Sequence, residues 1–144
     1  MPQNIVLNVA VKVDREAAWT VSRALEVDAT DRIHVSIPAG TAAAPPAGGT
    51  APPAGRTPTK VTVKVQPSGT GKVKLLVITS DVYDQKDLTY QLPQGAAPLA
   101  LDAAQVWAGA GLVNLLGGAL EELEFANATA TPAAVTIFVG RDAT

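Results

Sequence analysis

The chain contains no cysteine and a single histidine, His34. The first absence excludes disulfides, thiolate metal sites and a cysteine nucleophile. The second excludes any metal site built on two imidazoles, and no nucleophile or orienting acid is marked out beside His34 to complete a triad. Alternation puts His34 on the face opposite Ile33, Val35 and Ile37, where a solvated side chain belongs. Charge is scarce: 17% of residues against ~25% in an ordinary domain. The 11 basic and 13 acidic residues give a formal net charge of −2, with no basic stripe and no acidic tail. Nucleic acid is therefore not an expected partner, because backbone binding runs on clustered Lys and Arg. Aromatic residues make up only 4%, so a core must be built from Val, Leu, Ile and Ala. The opening MPQNIVLNVAVKVDRE has neither the basic start nor the unbroken apolar run of a secretory signal. Synthesis in the cytoplasm without Sec export is expected, with release into a virion or an extracellular assembly left open.

What is present begins with Ala103–Leu120, AAQVWAGAGLVNLLGGAL, which holds no charged residue although Asp102 and Glu121 bracket it. It mixes large apolar groups with four glycines. Such surface has to be covered, by the protein's own core or by a second copy of the protein. Its eighteen residues reach the lower limit of a membrane span. Gln105, Asn114, the glycines and the lack of flanking Lys or Arg speak against a span. Locally, Asp102 could cap a short helix over AAQVWA ended by Gly109, or Val106 and Trp107 could belong to a strand.

Elsewhere apolar residues alternate with polar ones, which is the period of a strand with one wet face. The runs are Ile5–Val13, Trp19–Asp28, Arg32–Ile37, Lys60–Gln66, Val73–Ser80, Leu88–Leu92, Leu99–Leu101, Glu121–Asn127 and Ala133–Gly140. Turn chemistry separates them, as in Asp14–Glu16, Asp28–Asp31 and Pro67–Gly71. The pair Lys60–Gln66 and Lys72–Ser80 reads as a hairpin. Leu75 to Ile78 is apolar on both faces, which places it between two layers or under another subunit. Residues 38–58 are Pro, Ala, Gly and Thr with one charge, Arg56, and read as a flexible loop that makes no ladder. The expected fold is all-β: one domain over residues 1–144, an antiparallel β-sandwich of jelly-roll type with about eight strands and at most one short helix.

Several groups invite a chemical reading. Asp81, Asp84 and Asp87 follow one another at spacing three in a polar stretch, and loop carboxylates are the ordinary ligands of calcium. Calcium is the one cofactor the sequence suggests, although the EF-hand pattern is absent. Tyr83, beside Asp81 and Asp84, is the best stacking surface for a sugar. Glu121, Glu122 and Glu124 crowd one edge, whereas glycoside cleavage needs carboxyl groups facing across a cleft. PSGTGK at residues 67–72 lacks the first glycine of a phosphate-binding loop and opens a strand. Asn127-Ala-Thr129 matches a glycosylation sequon.

The sequence therefore points to a non-enzymatic structural subunit that assembles with itself into a homo-oligomer, filament or shell, of virion, phage or appendage type. The expected contact residues are Val106, Trp107, Leu112, Val113, Leu115 and Leu116, with Leu76 and Ile78 from the doubly apolar strand. The alternative is a glycan-binding sandwich assisted by calcium at Asp81, Asp84 and Asp87.

Overall fold

The alternating runs become two four-stranded antiparallel sheets packed face to face. The computed structural model describes residues 2–44, 47–48, 55–67, 71–93, 97–116 and 120–143, without the side chains of 116 and 143. In chain order the strands are β1 (Gln3–Val11), β2 (Trp19–Val27), β3 (Ala29–Ile37), β4 (Thr41–Ala42), β5 (Arg56–Thr57) and β6 (Thr59–Lys64). There follow β7 (Gly71–Ser80), β8 (Asp84–Gln91), β9 (Leu99–Leu101), β10 (Gln105–Ala108), β11 (Glu122–Asn127) and β12 (Ala133–Ala143). One single-turn helix, α1 (Ala110–Val113), runs into a 3-10 turn at Asn114–Leu116.

The first sheet has the order β10-β7-β12-β3 and the second β6-β11-β8-β9. Taken alone, these eight strands pair first with last, second with seventh, third with sixth and fourth with fifth. That is one long hairpin folded over into two facing sheets, the jelly-roll connection. It also corrects the hairpin expected from Lys60–Gln66 and Lys72–Ser80. β6 pairs with β11 in one sheet, and β7 pairs with β10 and β12 in the other. A jelly roll carries the chain across the sandwich at this connection. Alternation identifies strands but not their partners.

Burial follows the alternation. Val135, Ile137 and Val139 of β12 point inward, as do Leu123 and Phe125 of β11 and Leu88 and Tyr90 of β8. Each such side chain contributes roughly 1.5–3 kcal/mol on leaving water. Tyr90 and Phe125 give the centre its only paired rings among the described residues, with centroids 5.9 Å apart. β12 is interior to its sheet, held by β7 on one side and β3 on the other.

The double apolarity of β7 has a local cause. Leu76 and Ile78 face the sandwich core and are fully buried. Leu75 points to the outer face and is buried as well. Its cover is the chain's own N-terminal hairpin: a Cβ placed on Gly140 would stand 3.0 Å from Ile5 Cδ1, 3.2 Å from Val27 Cγ1 and 3.4 Å from Leu75 Cβ. Glycine at 140 is what lets these side chains close over the sheet.

One open alternative is resolved and two local expectations are corrected. Gln105–Ala108 is a strand, and the helix begins after Gly109, whose φ of 94° suits glycine and turns the chain. Asp84–Asp87 opens β8 instead of lying in a loop. The Pro/Ala/Gly segment closes at its base in a short ladder, Thr41 opposite Thr57 and Ala42 opposite Arg56. Arg56 adds a bond to the Gly40 carbonyl at 2.9 Å, and Thr59 Oγ1 one to Ala39 at 2.9 Å. Residues 45–46 and 49–54 of that segment, and 68–70 of the Pro67–Gly71 turn, lie outside the described residues.

Candidate assembly surfaces

β1 and β2 pair with each other over nine positions and with no other strand among the described residues. Their register puts Val9 opposite Val21 and Val11 opposite Trp19, so these four side chains share one face of a two-stranded ribbon. Leu25 and Val27, at the base of that face, are buried, and Ile5 and Leu7 are half-buried. From residue 8 to residue 24 every residue is exposed, Trp19 at 66%. Polar residues such as Asn8, Ser22 and Thr20 occupy the other face, interrupted by Val6. The base is pinned where β2 passes into β3: the Asp28 N–H donates to the Arg141 carbonyl at 2.9 Å, and Lys74 Nζ donates to the Glu26 carbonyl at 3.1 Å. Close by, Arg141 Nε lies 3.2 Å from Asp31 Oδ2 in a buried ion pair that ties β12 to β3. A lone hairpin is marginally stable in water, so this ribbon carries an apolar face that only its base has satisfied.

The second surface is the corner made by β10, α1 and the 3-10 turn. β10 is the outer strand of its sheet. Val106 and Leu112 are exposed, Leu115 is exposed at 73%, and Trp107 is half-buried. A cavity of ≈ 260 Å³ is lined by Gln105, Val106, Trp107 and Leu112. A separate apolar cavity of ≈ 190 Å³ takes Leu115, Leu92, Leu99 and Leu123 among its walls. Beneath the corner sits a polar network. Trp107 Nε1 donates to the Tyr90 hydroxyl at 3.1 Å, the hydroxyl donates to Gln105 Oε1, and Gln105 Nε2 donates to the Ala100 carbonyl at 2.6 Å. Burial pushes the Tyr90 phenol up to about 12, against a smaller lowering by the Trp107 N–H. It therefore stays a neutral donor at any ordinary pH.

Of the contact residues expected from the sequence, Val106, Trp107 and Leu112 line one cavity, and Leu115 lines another with Leu92, Leu99 and Leu123. Leu76, Ile78 and Val113 are core residues, with exposures of 3% or less, and have no surface to offer a second copy. Their apolarity fills the sandwich. The Leu116 side chain lies outside the described residues. The ribbon face was missed. Its alternation was visible, but an apolar strand face reads as core unless the facing layer is known.

The three aspartates separate in role. Asp81 Oδ1 accepts the Ala134 N–H at 2.6 Å and so fastens the start of β12. Asp84 Oδ1 accepts the N–H groups of Lys86 and Asp87 at 2.8 and 2.7 Å. Those two bonds, that of Asp87 foremost, hold the Asp84 carboxyl below the usual carboxylate range. No three metal-ligating side chains converge among the described residues. Asp84 and Asp87 do line a polar cavity of ≈ 580 Å³ together with Arg56, Lys86 and Thr129. No aromatic side chain lines it among the described residues; Tyr83 instead accepts the Ser80 N–H at 3.1 Å. His34 is exposed and bonded to Thr136 at 3.0 Å. Glu124 pairs with Lys60 at 2.9 Å across β11 and β6. Asn127 of the sequon is fully buried, its amide bonded to Ile37, Thr129 and Thr131.

No protein-family model matches the chain, and neither the curated proteins nor the solved structures contain a match to it.

Proposed function

We propose that the protein is a non-enzymatic structural subunit that assembles with copies of itself into a homo-oligomer, filament or shell, of virion, phage or appendage type. The observation that carries this reading is the N-terminal ribbon, whose apolar face is exposed from Val9 to Val21. A ribbon of that kind is costly to hold in water alone and gains from being covered. The uncovered corner at Val106, Leu112 and Leu115 adds to it. Jelly-roll sandwiches serve in capsids, which agrees with such a role at the level of fold. Sedimentation velocity and native mass spectrometry on the full chain at micromolar concentration test it. Discrete species above the monomer are expected, and a monomer throughout overturns the reading.

A second reading, glycan binding assisted by calcium, draws on the polar cavity with Asp84, Asp87, Arg56 and Lys86 at its walls. A glycan array run with calcium and with a chelator tests it. Specific binding lost on chelation supports it, and identical blank arrays overturn it.

A further inference from the structure

We infer that Asn127 can accept an N-linked glycan only while residues 127–131 are open, and that folding closes this site, because the sequon's own residues form a clasp between the two sheets. The inference is independent of the self-assembly reading. Asn127 ends β11, the strand held between β6 and β8, and pairs with Thr59 on one side and Leu88 on the other. It is 0% exposed. Both hydrogens of its Nδ2 are in use. One goes to the Ile37 carbonyl at 3.2 Å, at the end of β3 in the opposite sheet, and the other to the Thr131 carbonyl at 2.9 Å. Its Oδ1 accepts the Thr129 N–H at 2.9 Å, and the Thr129 hydroxyl stands 2.7 Å from the same oxygen.

Glycosylation asks for what this arrangement denies. Nδ2 attacks the anomeric carbon of a sugar carried on a lipid pyrophosphate. The N–C bond forms as the C–O bond to the pyrophosphate breaks, and Nδ2 gives up one proton to a base. The co-reactants are that donor and the transferase that binds it. One N–H is consumed, so the carbonyl of Ile37 or Thr131 loses its donor, and a sugar ring has to stand where that carbonyl is. The surrounding backbone leaves no room. The Gly40 N–H donates to the Thr129 carbonyl at 3.0 Å, and the Ala128 N–H to the Asp87 carbonyl at 2.6 Å. A Cβ on Gly40 would stand 2.7 Å from Ala128 Cα and 3.0 Å from the Asn127 carbonyl oxygen, so even a methyl group there forces a shift. A glycan is bulky and hydrated and belongs on a surface. Folding and modification of Asn127 therefore exclude each other, and the Asn-x-Thr spacing serves the bonds of the clasp.

The test uses the purified full chain from a host without N-glycosylation, a eukaryotic oligosaccharyltransferase and its lipid-linked oligosaccharide donor, with glycan positions read by mass spectrometry. Asp14→Asn with Glu16→Thr builds the same motif at the exposed tip of the ribbon and is carried by every chain as the internal control. Gly40→Val is the opening variant, since its side chain has to displace Ala128. The inference expects the tip to be loaded in both chains, Asn127 to be bare where Gly40 is kept, and Asn127 to be loaded in Gly40→Val, whether that change frees only the segment or unfolds the whole chain. A glycan on Asn127 in the chain that keeps Gly40, with circular dichroism and unfolding midpoint unchanged, would overturn it. So would a bare Asn127 in Gly40→Val beside a loaded tip, because closure would then not be what keeps the site empty. Asn127→Asp distinguishes a clasp from an idle motif, since it sets an oxygen in place of the nitrogen that faces two carbonyls. Its unfolding midpoint should fall, and a midpoint equal to the parent's would overturn the clasp.

Discussion

The indole N–H of Trp107 donates to the hydroxyl of Tyr90 at 3.1 Å, and the bond joins the two sheets, Trp107 standing on β10 and Tyr90 on β8. The same hydroxyl donates to Gln105. Replacing Tyr90 by Phe keeps the ring and its contact with Phe125 and removes only the oxygen. Trp107 Nε1 then loses its acceptor and Gln105 Oε1 its donor. Loss of about 1–3 kcal/mol of unfolding free energy is expected, the cost of leaving part-buried polar groups unpaired. Urea unfolding of Tyr90→Phe against the parent measures it.

The same residue sets an alkaline limit. Burial pushes the Tyr90 phenol up to about 12, above the ~10 of an exposed tyrosine. Between those values the unfolded chain has released the proton and the folded chain still holds it, so the unfolded state binds fewer protons and stability falls as pH rises. The full contribution is present below pH ~10 and is lost by pH ~12. The difference in unfolding free energy between parent and Tyr90→Phe, followed across this window, should shrink with pH. A constant difference would contradict it.

Gly140 governs how the ribbon is attached. A Val there must push against Ile5, Val27 and Leu75, which meet over the missing Cβ. Gly140→Val should loosen the ribbon base before it disturbs the inner core, because Val139 and Ile137 face the other way. Hydrogen exchange should show protection lost in residues 3–11 and 19–27 and kept in β7 and β11. Equal loss in all four would show that residue 140 supports the whole sandwich.

The Pro/Ala/Gly segment can be shortened if its base is spared. Replacing residues 43–55 by a short Gly-Ser linker leaves the ladder of Thr41 and Thr57 and the Arg56 bond to Gly40 in place. Loop-closure entropy changes little with length, so thermal and urea stability should stay within ~1 kcal/mol. A fall beyond ~2 kcal/mol would mean that the segment packs on the body, since closure entropy cannot supply that much.

Most of the fold was legible because strands with one wet face write their burial into alternate residues. Val135, Ile137 and Val139 are the clearest case. Pairing was not legible, because Val61–Val65 and Leu76–Ile78 carry no sign that they lie in opposite sheets. Charge-free composition was an ambiguous signal for the same reason: it marks surface to be covered without saying by what. Within one short turn it describes both Val113, buried against the core, and Leu115, open to solvent. The ribbon shows the converse. Val9, Val11 and Trp19 have the pattern of a core strand, and they are surface because no layer among the described residues faces them.

That contrast between Val113 and Leu115 supplies a test that separates folding from assembly. Val113 is 3% exposed and belongs to the sandwich core; Leu115, two residues on, is 73% exposed. An ammonium group at 113 has to lose its water without a partner, at a cost of several kcal/mol that a domain of marginal stability cannot absorb. Val113→Lys should fail to give folded protein. An ammonium group at 115 stays hydrated in the single chain, and Leu115→Lys should match the parent in circular dichroism and unfolding midpoint. In an assembly that covers the corner, the same group would be desolvated at every joint. Sedimentation velocity should then show Leu115→Lys as a folded monomer under conditions where the parent associates. If it assembles as well as the parent, the corner is open in the particle and copies of the chain must meet through other surfaces.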